Sequence, residues 1–291
     1  MLTDRRSFIA GATVAALGPA ALARTAPGAA SRRLAGELAR IEADSGGRLG
    51  VAVHDLATGR RHLHRSDERF PLCSTFKLLA CGAVLARVDA GRESLDRRIA
   101  VNAEDLVEYS PVTEKHVGAD GMTLAAVCEA AITLSDNTAG NLLLASLGGP
   151  GGVTAFARAL GDRVTRLDRT ETSLNEATPG DGRDTTSPAA MAADLEKLVL
   201  GRALAPRSRD RLTAWLVANR TGDARLRAGL PRGWRVADKT GAGEHGTTND
   251  VAVIWPPDRG PLVVSAYLTG AGGDGDARNA LIAAVARAVT R

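Results

Sequence analysis

The 291-residue chain is poor in aromatics, with Phe 4, Trp 3 and Tyr 2, and has no marked excess of either charge. Lys and Arg number 37 against 33 Asp and Glu. Half of even that small surplus sits in the first 30 residues, which carry Arg5, Arg6 and Arg24 against Asp4 alone. No basic block therefore remains to neutralise a phosphate backbone, which excludes nucleic acid as a partner. Long apolar runs are also missing. The one candidate, Phe8 to Ala23, is too short and too rich in Gly and Ala for a membrane span. Histidine is limited to His54, His62, His64, His116 and His245. His62 and His64 alternate on one strand face without a downstream partner set, so neither a metal nor any other cofactor is expected. What is present is 44% hydrophobic and 24% charged residues, a balance that excludes disorder, collagen and a multi-span membrane protein.

Arg5-Arg6 precedes the apolar stretch, and Ala21-Leu22-Ala23 gives a small-x-small pattern. Residues 1–30 therefore look like an export signal of the twin-arginine type, cleaved near Ala23 to Ala30. Export to a periplasmic or external compartment would permit disulfides, and the three cysteines are Cys73, Cys81 and Cys128. One must be left over. Cys73 and Cys81 lie eight residues apart on one predicted helical segment, about 12 Å along its axis and too far to bridge, so any bridge involves Cys128.

Leu34, Leu38 and Ile41 recur at helical spacing before Gly46-Gly47, and strands over 49–56 and 61–64 form a hairpin. Helical periodicity then dominates from Phe70 to Asn219, over 74–89, 123–134, 137–146, 151–160, 187–200 and 207–218. Ser187-Pro188 reads as an N-cap followed by proline at the first helical position. Three β-rich runs, 234–239, 247–255 and 262–269, and a helix over 276–290 close the chain. The pattern predicts an α/β protein of the α+β type, with an all-helical lobe inserted into a lobe whose mostly antiparallel sheet is flanked by helices. The boundaries are 31–68 and 220–291 for the discontinuous lobe and 69–219 for the helical one. Between Asp162 and Ser187 the chain is polar and irregular, as functional loops often are. Arg169 and Asp184, near its ends, are expected to pair across its neck.

Ser74-Thr75-Phe76-Lys77 opens the first long helix of the middle lobe, placing Ser74 and Lys77 on one face beside unpaired backbone NH groups. A serine hydroxyl needs a nearby proton acceptor to become a nucleophile, and a developing oxyanion gains from a helix N-terminus. Ser135-Asp136-Asn137 and Lys239-Thr240-Gly241 follow in that order, the latter at the expected end of a strand. Each triplet alone could be a cap or a turn. Together with SxxK in one exported chain they resemble the motif set of the penicillin-recognising serine hydrolases.

On these residues the chain strongly resembles a class A serine β-lactamase over nearly all of its length after the leader. Glu171-Thr172-Ser173-Leu174-Asn175 in the irregular segment, Val107 to Thr113 before the SDN triplet, and Thr247-Thr248-Asn249-Asp250 after the KTG triplet belong to the same resemblance. It implies the β-lactamase/transpeptidase-like fold, an active-site loop over 166–184, the Arg169–Asp184 ion pair, and a Cys81–Cys128 disulfide with Cys73 free. It further implies that Ser74 attacks the lactam carbonyl while the NH groups of Ser74 and Ala242 hold the oxyanion. Ser135, with Lys77 beside it, would return a proton to the lactam nitrogen, and Glu171 with Asn175 would direct a water at the ester. Lys239, Thr240, Gly241 and Arg225 would receive the substrate carboxylate, Asn137 the side-chain amide, and Tyr109 would wall the entrance. Relatives that hydrolyse carbapenems commonly bridge the cysteine before the nucleophile to one just after the KTG triplet, where this chain has Gly243.

The expected substrates are penicillins and cephalosporins, with antibiotic resistance as the result; a monomer free of the membrane after cleavage is expected. A DD-peptidase or a β-lactam-binding sensor would share the serine and lysine. Glu171 and Asn175 would supply a hydrolytic water that a DD-peptidase lacks, and turnover separates all three readings.

Overall fold

The computed structural model describes residues 28–118 and 120–291. The leader expected over residues 1–30, with Arg5-Arg6 and Ala23, lies outside the described residues except for its last three, of which Ala29 and Ala30 open a helix. Among the described residues no helix is long and apolar enough to cross a membrane.

In chain order the elements are α1 (Ala29–Ser45), β1 (Arg48–Asp55), β2 (Arg60–His64), β3 (Phe70–Pro71), α2 (Phe76–Asp89), β4 (Arg98–Ile99), β5 (Met122–Thr123), α3 (Leu124–Thr133), α4 (Asn137–Leu147) and α5 (Pro150–Ala159). They continue as β6 (Thr185–Thr186), α6 (Pro188–Val199), α7 (Pro206–Val217), β7 (Arg235–Gly243), β8 (Thr247–Trp255), β9 (Leu262–Thr269) and α8 (Gly275–Thr290). One antiparallel sheet runs β2-β1-β9-β8-β7, so the first and last strands of the chain share it.

The pleat explains why these strands read as almost continuous apolar runs. Val251 and Val253 of β8, with Val263 and Tyr267 of β9, face a core built with α2, α3, α4 and α6. Ala252 and Ile254, with Leu262, Val264, Ala266 and Leu268, face a second core under α1 and α8. Successive side chains point to opposite faces, and both faces are covered, so both are mainly apolar. Helix starts are capped as their sequences dictate: Thr123 accepts from Ala126 N at 3.2 Å, Asp136 from Ala139 N at 2.8 Å, and Ser187 from Ala190 N at 3.2 Å. Gly46, at φ 65°, closes α1 in the left-handed region that residues with a Cβ avoid.

Two expectations need correction. Lys239-Thr240-Gly241 does not end a strand but lies within β7, which stays paired with β8 as far as Gly243 opposite Thr247. Glycines carry little strand preference, and the pairing with β8 holds them extended. The Cys81–Cys128 disulfide is absent: all three cysteines are free and buried, and the Cys81 thiol points at the Cys128 carbonyl oxygen, 3.7 Å away, from across the α2–α3 packing.

Candidate active site

Ser74 is placed by what precedes it. Phe70-Pro71 pairs with Thr185-Thr186, and Leu72 N donates to Asp184 O at 2.8 Å. Cys73 then turns at φ 45°, and a 3-10 turn over Cys73–Thr75 delivers Ser74 to the start of α2. One turn further, the fully buried Lys77 donates from Nζ to Ser74 Oγ at 2.9 Å, to the Ser135 carbonyl at 2.8 Å and to Asn137 Oδ1 at 2.7 Å. Its Nζ also lies 2.8 Å from Glu171 Oε1. Burial pulls the Lys77 ammonium below the ordinary lysine range, and the Glu171 carboxylate works against that shift. Room for the lysine stem comes from Gly140 of α4, where a Cβ would sit 2.7 Å from Lys77 Cε.

Glu171 reaches this cluster from the irregular loop. Arg169 Nε donates to Asp184 Oδ2 at 2.6 Å, while Asp168 N and Arg169 N donate to Asp184 Oδ1 at 2.7 and 2.9 Å. With its neck tied in this way, the loop holds Glu171 by both backbone groups: Glu171 N donates to Asn141 Oδ1 at 2.8 Å, and Asn141 Nδ2 donates to Glu171 O at 3.0 Å. The Glu171 carboxylate then accepts from Ser74 Oγ on Oε1 at 3.1 Å and from Asn175 Nδ2 on Oε2 at 2.5 Å. The nucleophile candidate thus has two basic neighbours, Lys77 and Glu171, on its buried side.

The third group arrives from the α3–α4 junction and β7. Ser135, at φ 57°, projects into the site because Asp136 is spent structurally, capping α4 and accepting from Val112 N, Thr113 N and the Thr113 hydroxyl. Lys239 Nζ donates to Ser135 Oγ at 2.9 Å and to Thr240 O at 3.0 Å. Burial, reinforced by the Lys77 cation, lowers Lys239 to about 7. The nearest lysine contact to the Ser135 hydroxyl is therefore with Lys239, whereas Lys77 meets only the Ser135 carbonyl.

Ser74, Tyr109, Ser135, Asn137, Asn175, Arg225, Thr240, Gly241 and Ala242 line one cleft of about 320 Å³, while Lys77, Glu171 and Lys239 stand buried behind its wall. Tyr109 is 56% exposed at the rim, and its carbonyl accepts from Asn137 N at 3.0 Å. Asn137 also spends its Nδ2 on Glu108 O at 2.9 Å. Arg225 turns largely inward, donating from Nη1 to Gly241 O and Asn249 O, both at 2.7 Å, and from Nε to Asn279 Oδ1 at 2.9 Å. Gly243 faces Cys73: a Cβ there would lie 2.7 Å from Cys73 Sγ. Sequence reasoning missed Asn141 and Gly140, which hold Glu171 and make room for Lys77, and Thr221, which lines the cleft. A glycine and an asparagine in the first turns of a helix carry no distinguishing signal. Among the described residues no cluster of three or more His, Cys, Asp and Glu is placed to hold a metal.

Comparison with known proteins agrees in sequence and in shape. A model of the β-lactamase enzyme family matches residues 33–291. β-Lactamase OXY-2 of Klebsiella oxytoca is 50% identical over 279 residues, covering 96% of both chains. β-Lactamase AST-1 of Nocardia asteroides is 55% identical over 251 residues, covering 86% of this chain and 81% of its own. Among solved structures, an ancestral Gram-negative class A β-lactamase superposes with a TM-score of 0.87 at 68% identity, covering 88% of this chain and 98% of that one. The putative class A β-lactamase PenP from Rhodopseudomonas palustris gives 0.87 at 64%, with the same coverage.

Proposed function

The chain belongs to the class A serine β-lactamase family, and on that premise we propose that its hydrolysis of β-lactams passes through an ester on Ser74 released by a water that Glu171 activates. The enzyme opens the β-lactam amide of penicillins and cephalosporins and so confers resistance to them. Ser74 Oγ attacks the lactam carbonyl as its proton passes to Lys77 or Glu171, both within hydrogen-bond reach. The NH groups of Ser74 and Ala242 stabilise the oxyanion without reorganising. When the carbon–nitrogen bond breaks, the Ser135 hydroxyl gives its proton to the lactam nitrogen, and Lys239, 2.9 Å behind it, stabilises the oxygen that has lost the proton. Water then adds to the ester, Glu171 takes its proton, Asn175 steadies both, and the Ser74 oxygen leaves with a proton as the penicilloic or cephalosporoic acid departs. Thr240 and Arg225 on the cleft wall, with Lys239 behind it, form the recess for the substrate carboxylate.

The observation that carries this reading is the Glu171 carboxylate shared between Ser74 and Asn175, at 3.1 and 2.5 Å, because it gives the ester a built route to hydrolysis. Replacing Glu171 by alanine should leave a covalent adduct on Ser74, seen by intact-protein mass spectrometry as the enzyme plus one substrate. An E171A enzyme that accumulates no adduct while the wild type turns over would remove Glu171 from release. A wild type giving only a stoichiometric burst would point instead to a sensor or a peptidase. We also read the enzyme as a monomer exported through the twin-arginine leader, to be checked by sequencing the N-terminus of the mature form and by sedimentation.

A further inference from the structure

We propose that Thr221, in the turn after α7, is a specificity-determining residue that sets which way the Thr240 hydroxyl points and thereby tunes the cleft for an anionic group. The inference rests on reading Thr240 as part of the carboxylate recess. Its ground is an account of protons along one chain of contacts. Asn219 is buried, and its amide orientation is fixed: Thr221 N–H requires the oxygen, at 3.0 Å, and Asp238 Oδ2 requires the nitrogen, at 2.6 Å. Asn219 Oδ1 therefore also accepts the Thr221 hydroxyl proton, at 2.8 Å. A threonine has only one such proton. In the contact of 2.5 Å between the Thr221 and Thr240 hydroxyls, Thr240 must consequently be the donor.

Without substrate the donors therefore run from Thr240 to Thr221 to Asn219 to Asp238, toward a carboxyl that Arg227 Nε also holds at 2.7 Å. Thr240, only 3% exposed, then offers the cleft lone pairs, the wrong polarity for a carboxylate. An arriving anion requires the two hydroxyls to reverse. Thr240 gives its proton to the anion, and Thr221 swings its proton from Asn219 Oδ1 to Thr240 Oγ1. No buried group is stranded, because Asn219 Oδ1 keeps the Thr221 backbone N–H and Asn219 Nδ2 keeps Asp238. The reversed chain also donates in one direction, Thr221 to Thr240 to anion, so each bond polarises the next. A side chain without a hydroxyl at 221 would leave the Thr240 oxygen without a donor when the anion is bound.

The test compares benzylpenicillin with its methyl ester, which lacks the negative charge. In Thr221→Val the ratio of kcat/KM for the acid over the ester should fall about fivefold, the worth of one net hydrogen bond, with the loss in KM rather than kcat. Thr221→Ser, which keeps the hydroxyl, should restore it. A ratio unmoved in T221V, or a T221S enzyme as impaired as T221V, overturns the proposal. Absence of turnover in the wild type would instead count against the proposed function. Independently of turnover, NMR titration with phenylacetate and phenylacetamide should show T221V losing affinity for the carboxylate but not for the amide; equal losses or none also overturn it.

Discussion

Two buried lysines in one site, both pulled below the ordinary lysine range by burial, differ in their neighbours. Lys77 has the Glu171 carboxylate at 2.8 Å to favour its charge. Among the described residues Lys239 bonds to a hydroxyl and a carbonyl, Ser135 Oγ and Thr240 O, and burial with the repulsion of Lys77 brings it to about 7. Its charge is present below that value and lost above it. Since the cation both attracts the substrate carboxylate and supports Ser135, kcat/KM for penicillins should decline as pH rises through about 7. A bound carboxylate favours the charged lysine, so the same limb in kcat should lie at higher pH. Lys239→Arg keeps its charge throughout, and its kcat/KM profile should lack that limb. Paired pH–rate profiles decide this: a wild-type profile flat across neutrality, or an arginine variant that falls with it, would assign the charge elsewhere.

The irregular loop is an element in its own right, because a single carboxylate closes it. Asp184, 1% exposed, takes two backbone NH groups and the Arg169 guanidinium, and its own carbonyl holds Leu72 just ahead of Ser74. Asp184 sits at φ 53°, a conformation asparagine tolerates, so Asp184→Asn removes the charge without changing backbone preference. The Arg169 guanidinium is partly exposed and keeps Glu176, so weakening the charged bonds at the buried Asp184 position costs about 1–3 kcal/mol, or a melting temperature lower by about 3–8 °C. Ser74 stands outside the loop and Glu171 inside it, so release of the ester should slow more than its formation. Single-turnover quench measurements separate the two steps, and equal slowing would show that the neck does not act through Glu171. The ion pair was legible because its residues flank a polar stretch within sixteen positions. The pairing of Phe70-Pro71 with Thr185-Thr186 was not, since two-residue strands have no period to read. The long helices and the three late strands were visible in their periodicity, but β7 was cut short at its glycines. Thr221 stayed hidden because the partner that gives it meaning, Thr240, lies 19 residues away across a strand and a turn.

Taken as a whole, the molecule gathers its chemistry at the seams between the sheet and the helices: Ser74 at the start of α2, Ser135 at the α3–α4 junction, Lys239 on the edge strand β7, and Glu171 on a loop laid across them. Such an arrangement buries charge, and the cost appears even away from the cleft. Asp194 of α6 is fully buried beside Asp162, where the irregular loop begins, and neither Asp194 oxygen nor Asp162 Oδ2 has a hydrogen-bonded donor among the described residues. Arg158 and Lys197, the nearest cations, donate instead to the carbonyls of Asp162 and Leu160. Burial, and then the Asp162 charge, push Asp194 up to about 8. The folded protein therefore keeps a proton that the unfolded chain has already lost between about pH 4 and pH 8, so folding stability falls as pH rises through that window. Asp194→Asn has the same shape, can donate to Asp162 and does not titrate. Its melting temperature should match the wild type near pH 4 and exceed it by about 5 °C or more at pH 8, a gap that widens steadily between the two. Calorimetric scans of both proteins across that range measure the gap directly. A constant offset would mean that Asp194 is already ionised in the folded state, and that the loop's start tolerates two adjacent negative charges without a shared proton.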